Sequence, residues 1–247
     1  MNESAKEAVG LGERIREALS FKTMFTIKAG SLSIPITETV VTSWVVMAII
    51  IIGAFLLTRK MKEIPEGRQL VAETFVGFLN DFFKGQIGHQ WKIFAPYLGT
   101  VGLFVGLSNI ISFFSPIEGF GFTPPFIMKP PTRDINVTAA LALMTILIVI
   151  VSGIVVKGPV GWLKSFFKPA PFMLPFNIIE YAVKPLSLCL RLFGNILGAF
   201  IIMELIDMMV PLFLPPIASL YFDFFDGLIQ AVVFVFLSSV YITEAVE

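Results

Sequence analysis

Six residues between positions 180 and 198 fall on one side of a helical wheel: Glu180, Lys184, Ser187, Arg191, Asn195 and Gly198. Their spacings of 4, 3, 4, 4 and 3 place them on one narrow face. Leu186, Leu188, Leu190, Leu192, Phe193, Ile196 and Leu197 occupy the rest, so a polar stripe runs into an otherwise apolar helix. Glu180 and Lys184 stand in the favourable i, i+4 order and are expected to pair near its entrance. Arg191 is the costly member. An arginine at the centre of a bilayer costs from about 3 to beyond 10 kcal/mol. It cannot escape by losing its proton. Apolar sequence continues on both sides, which makes snorkelling to the interface awkward. A structural arginine paired with an internal carboxylate is the plain alternative. An intramembrane charge of this kind reads as part of an ion path.

A second stripe follows. Asp223, Asp226 and Gln230 are 3 and 4 apart and share a helix face, with Gly227 and Ala231 leaving room beside them. Glu204 and Asp207, three apart, end the preceding helical pattern. These acids gather around the turn at Pro211, where a wet vestibule would admit cations. The plainer reading of Glu204 and Asp207 is that they mark helix ends at the headgroups.

The elements that must carry these stripes are membrane helices. Of 247 residues, 56% are hydrophobic and 15% charged, too little polar surface for a soluble chain, which averages about 25% charged. A mean hydropathy of +0.85 points the same way. The pattern predicts helices over about 40–57, 93–114, 137–156, 178–209 and 217–243, plus an amphipathic helix over 66–84 lying on the membrane surface. In that last segment Leu70, Val71, Phe75, Phe78, Leu79, Phe82 and Phe83 recur at helical spacing. The expected architecture is all-α and polytopic: about five membrane-embedded helices plus the surface helix, in one domain spanning 39–247. The last two helical segments exceed a hydrocarbon core of roughly 30 Å, so they are expected to form a long tilted hairpin. Pro185 predicts a kink or a helix start. Residues 1–38 read as a polar segment without an apolar run. Arg59, Lys60, Lys62 and Arg68 follow the first span, which places the N-terminus outside and the C-terminus in the cytoplasm.

Other chemistries are excluded. One histidine, His89, and one cysteine, Cys189, give neither a metal cluster nor an internal disulfide, and His89 reads as a loop residue. No cofactor is implied. With 18 basic and 18 acidic residues and no basic tract, nucleic acid is not an expected partner. There is no GxxxxGK[ST] loop and no signal-peptide pattern.

The segment Pro185–Asn195, PLSLCLRLFGN, resembles the signature of the subunit a family of F-type ATP synthases. GLIQAVVFVFLSSVYI (227–242), PTRDINVTAALAL (131–143) and GLSNIISFF (106–114) resemble further segments of that family, and the likeness covers about 38–247. The resemblance implies a non-catalytic stator subunit in the bacterial plasma membrane, abutting a ring of c subunits. Its other partners would be the b subunits of the peripheral stalk, the remaining F1Fo subunits, membrane lipid and the transported H⁺ or Na⁺. On this resemblance Arg191 is the arginine facing the ring, Asn195 the asparagine one turn on, and Gln230 the polar residue that approaches the arginine. Asp223 stands where relatives carry a histidine or glutamate in the outer channel, and Glu180 matches an acid of the cytoplasmic channel. Asp226, Glu204, Asp207, Ser187 and Lys184 are possible channel lining. The sequence departs from the family nine residues after the arginine, where Phe200 replaces an acid or histidine. The competing readings are a stand-alone secondary transporter, for which no internal repeat is present, and a purely structural anchor, which leaves Arg191 unexplained.

Overall fold

The computed structural model describes residues 23–29, 32–59, 61–113, 130–167, 171–209 and 214–246. Two short strands come first: β1 (Thr23–Ala29) and β2 (Leu32–Thr37), paired antiparallel with Ala29 opposite Leu32. The sequence reading assigned no element here. Thr and Ile recur along TMFTIKA and LSIPIT with only Gly30 and Ser31 between them, a short hairpin pattern in which apolar and polar residues interleave and so form no apolar run.

The helices follow in order. They are α1 (Glu38–Thr58), α2 (Arg68–Ile87), α3 (Trp91–Phe113), α4 (Ile135–Lys157), the short α5 (Pro159–Ser165) and α6 (Leu174–Met209). Then come α7 (Leu214–Ser219), a π-helical turn (Leu220–Phe225) and α8 (Asp226–Val246). Five helical stretches among the described residues are long and apolar enough to cross a membrane: Glu38–Thr58, Arg68–Ile111, Ile135–Lys157, Leu174–Ile206 and Ile217–Val246. The chain is an all-α polytopic membrane protein, to which the hairpin is a small addition. At 36 residues α6 is about 54 Å long. It runs unbroken through Pro185. Of the Pro- and Gly-rich loop expected over 115–135, residues 115–129 lie outside the described residues, as do residues 1–22 and the turn at Pro211.

The core sits where α3, α4 and α8 meet, with α6 laid against α4. Val101, Val105, Leu141, Ala142, Leu188, Leu192, Ala231 and Phe234 form one buried cluster; Phe83, Phe94, Leu98, Val149, Val235 and Ile242 form a second. Helix α2 splits its apolar stripe. Phe83 is buried in that second cluster with Leu79 and Phe82 against it, whereas Leu70, Val71, Phe75 and Phe78 are exposed. Close helix contact depends on small residues: a Cβ on Gly227 would stand 2.7 Å from the Asn109 Cβ, and one on Gly102 would stand 2.8 Å from Val235 Cγ2.

Polar groups fix the two ends of the bundle. At one end Thr39 of α1 donates to Asp134 (3.0 Å), and Asp134 caps α4 through the Asn136 N–H (2.9 Å). There too Thr132 donates to Asn109 (2.5 Å), whose Nδ2 donates to the Gly227 carbonyl (3.1 Å). At the other end Thr243 of α8 donates to the Gln86 carbonyl of α2 (3.0 Å). The starts of α1, α4 and α8 therefore share one end, and the ends of α2 and α8 share the other.

Candidate functional site: an exposed arginine between two interhelical ties

Helix α6 buries Lys184, Leu188, Cys189, Leu192 and Ala199, while Leu186, Leu190 and Ile202 are exposed. The polar stripe lies along the boundary between these faces. Lys184 and Asn195 lean inward, toward α8; Arg191 and Glu180 are exposed.

Two polar ties fasten α6 to α8. Lys184 Nζ lies 2.9 Å from Glu180 on its own helix and 2.9 Å from Glu244 in the last turn of α8. Its ammonium also stands 5.3 and 5.4 Å from the ring centroids of Tyr181 and Tyr241. Four carbons of the lysine stem let a buried residue place its charge at the mouth of a cleft. That cleft, about 260 Å³, is open and is lined by Lys157, Asn177, Glu180, Tyr181, Lys184 and Glu244 among others. In the second tie Asn195 donates a hydrogen bond to the Asp226 carboxylate at the start of α8.

Arg191 lies between the ties, two turns from Lys184 and one turn from Asn195. Among the described residues no ion pair or hydrogen bond engages its guanidinium. Gly194, on its own exposed side, and Gly198 have open space where a Cβ would stand. Gln230 is half-buried one turn beyond Asp226, within the same bracket, and no hydrogen bond joins it to Arg191. Ser187 is half-buried. Asp223 falls in the π-helical turn, a geometry frequent at functional sites. The side chains of Asp223 and Asp207 lie outside the described residues.

Two charged residues escaped the sequence reading. Arg133 is only 6% exposed, and its guanidinium carbon lies 3.7 Å from the centroid of the Phe200 ring. Burial lowers its pKa, while attraction from Glu204, and less from Glu38, raises it. An arginine stays protonated through such shifts, so Phe200 seats a fixed cation at the position expected to hold an acid. The clue was present: an arginine directly before the α4 cap, and an aromatic face left unassigned. Glu244 was missed because the apolar run stops at Ile242 and the last helix was expected to end at Thr243. The helix continues because Ala245 packs in the core cluster, under Gly153 and Trp162.

Comparison with known proteins follows the same segments. The family model described as ATP synthase A chain matches residues 40–243. The ATP synthase subunit a of Moorella thermoacetica is 40% identical over 214 residues, covering 87% of this chain and 93% of that protein. The protein from Propionigenium modestum named ATP synthase subunit a, sodium ion specific, is 35% identical over 231 residues, 92% of this chain and 80% of its own length.

Proposed function

The chain belongs to the ATP synthase A chain family, and from that premise we propose that it provides two ion half-channels and the arginine that couples ion flow to rotation of a c-subunit ring. As a subunit a it is a non-catalytic, multi-pass membrane component of the ATP synthase membrane sector. The observation that carries the reading is Arg191: a permanent charge on a membrane helix, exposed beside two glycines with open space around them, and engaged by no described residue of its own chain. Such a charge is best accounted for by a counter-charge that a partner supplies.

A rotor carboxylate is neutral, by proton or bound cation, while it faces lipid. Opposite Arg191 it ionises. A unit pair 4 Å apart interacts by about 4 kcal/mol at an effective dielectric of 20. That would lower the carboxylate pKa by roughly three units, less the desolvation cost. The ion leaves by one half-channel and the carboxylate reloads from the other after passing the arginine. Because Arg191 cannot relay a proton and repels a passing cation, the direct leak is closed. Each charge crossing 100 mV is worth about 2.3 kcal/mol, and it then passes only through rotation.

In this reading the cleft at Glu180 opens to the cytoplasm, and Glu204, Asp207, Asp223 and Asp226 serve the outer path. The N-terminus is outside, the C-terminus is cytoplasmic, and α2 lies in the cytoplasmic interface. Partners are the c ring, the b subunits and the rest of F1Fo. The transported ion is H⁺ or Na⁺, and flux through reconstituted membrane sectors with and without Na⁺ decides between them.

The decisive experiment replaces Arg191 in the assembled complex. Arg191→Ala is expected to abolish ATP-driven pumping in vesicles, by at least a hundredfold, while permitting passive ion leak. Arg191→Lys fails too, since a lysine lacks the planar fork and loses its proton when desolvated. Normal pumping by Arg191→Ala overturns the reading. For the outer path, Asp223→Ala slows loading from outside more than Gln230→Glu does; equal, unchanged flux in both removes that path.

A further inference from the structure

The cleft at the start of α6 has an unusual charge arrangement. Two carboxylates line it, Glu180 and Glu244, with side chains 47% and 52% exposed. The Lys184 ammonium sits 2.9 Å from each, on a side chain only 9% exposed. The fourth charge on the wall is Lys157, the last residue of α4, and the phenols of Tyr181 and Tyr241 flank the ammonium. With all four charges present the wall is neutral. A tether of two glutamates on two helices would serve to hold α6 against α8 whether or not ions pass nearby. The cleft makes the difference: the same three groups line an opening of about 260 Å³.

We propose that Lys184 sets the charge of this mouth: seated between Glu180 and Glu244, it cancels one of the two carboxylates and so fixes how strongly the cleft gathers the transported cation from the F1-bearing side. This rests on the reading of the chain as the ion-conducting stator. The mouth with Lys184 is electrostatically flat enough to receive a cation and to let it go. Without the ammonium its net charge becomes −1, and it collects cations and releases them slowly. Without the Glu244 charge its net charge becomes +1, and it turns them away.

A mere latch and a charge-setting residue make different predictions. Lys184→Met and Glu244→Gln break the same α6–α8 tie, so a latch gives both variants the same defect. The charge role gives them opposite ones. The test uses inverted vesicles holding the whole complex, with ATP-driven pumping followed against external pH and, in a parallel series, external Na⁺. Lys184→Met is expected to lower the cation concentration for half-maximal pumping, and Glu244→Gln to raise it, each by roughly threefold to tenfold. High salt should shrink both shifts. Lys184→Arg keeps the parent value, and the Lys184→Met, Glu244→Gln double variant, whose wall is neutral again, returns toward it. Should Lys184→Met fail to assemble, Glu244→Gln, altered at an exposed carboxylate, stands as the test: no shift, or a shift to lower concentration, overturns the proposal. Shifts of the same sign in both single variants overturn it too. Arg191→Ala run beside them separates the two ideas. If it stops pumping while the cleft variants keep parent values, the stator reading stands and the role of Lys184 falls.

Discussion

Arg133 and Arg191 both lie in membrane-associated parts of this chain, and they are held in opposite ways. Arg133, in the turn before α4, is 6% exposed, stacked on Phe200 and attracted by Glu204 and Glu38. Arg191, in the middle of α6, is exposed and engages no described residue. A buried cation with its counter-charges and an aromatic seat supplied by the fold has a structural role. For the second cation the described fold supplies neither, which fits the partner-facing role proposed above. The difference separates a charge that the described fold compensates from one that it leaves exposed, the one proposed above to act on a partner.

The sharpest way to break this contrast is to neutralise each arginine and measure stability. Arg133→Gln is expected to cost about 3–5 kcal/mol, because it leaves Glu204 and Glu38 without their cation. The thermal midpoint of the purified chain in detergent should fall by several degrees, while Arg191→Gln leaves it unchanged. Equal midpoints for the two variants would erase the distinction. A smaller effect tests the seat itself. Phe200→Leu keeps the apolar bulk and removes the ring face, and should cost about 2 kcal/mol, the worth of a desolvated cation–π contact. It should cost nothing further when Arg133 is already Gln, a non-additivity that a double-mutant cycle reads directly. Smallest is Asn195→Ala. It removes one hydrogen bond to a half-exposed carboxylate, worth about 1 kcal/mol, and the midpoint should barely move. Because Asn195 neighbours Arg191, that variant should slow pumping more than it lowers the midpoint; a loss confined to stability would make the Asn195–Asp226 bond a plain fastening.

The Arg191 stripe was legible in the sequence because helical period and hydropathy together locate a charge that apolar residues surround. The ion pair of Lys184 with Glu180 was legible for the same reason, being local to one helix. What the sequence could not disclose is which apolar side faces protein. Leu188 is 2% exposed and Leu190 50%, yet the two are identical in chemistry, since lipid and protein interior are equally apolar solvents. Partners across helices were hidden with it: Glu244 for Lys184, Asp226 for Asn195, Phe200 for Arg133. The hairpin over 23–37 escaped for a different reason: its strands of seven and six residues interleave apolar with polar side chains, so no continuous apolar run marks them.

The pair of fastenings on either side of Arg191 has a mechanical consequence. Attraction between charges acts equally on both, so if a rotor carboxylate passes Arg191 as proposed, whatever tugs it also tugs this helix. From an interaction of about 4 kcal/mol at 4 Å, the pull is ~1 kcal/mol per Å. A beam clamped at one end bows under such a load, whereas one pinned on both sides of the loaded point scarcely yields. In the stator reading proposed above, the recoil would then be taken up by the side chain rather than by the backbone, and displacement would appear in the moving neighbour, where it does work.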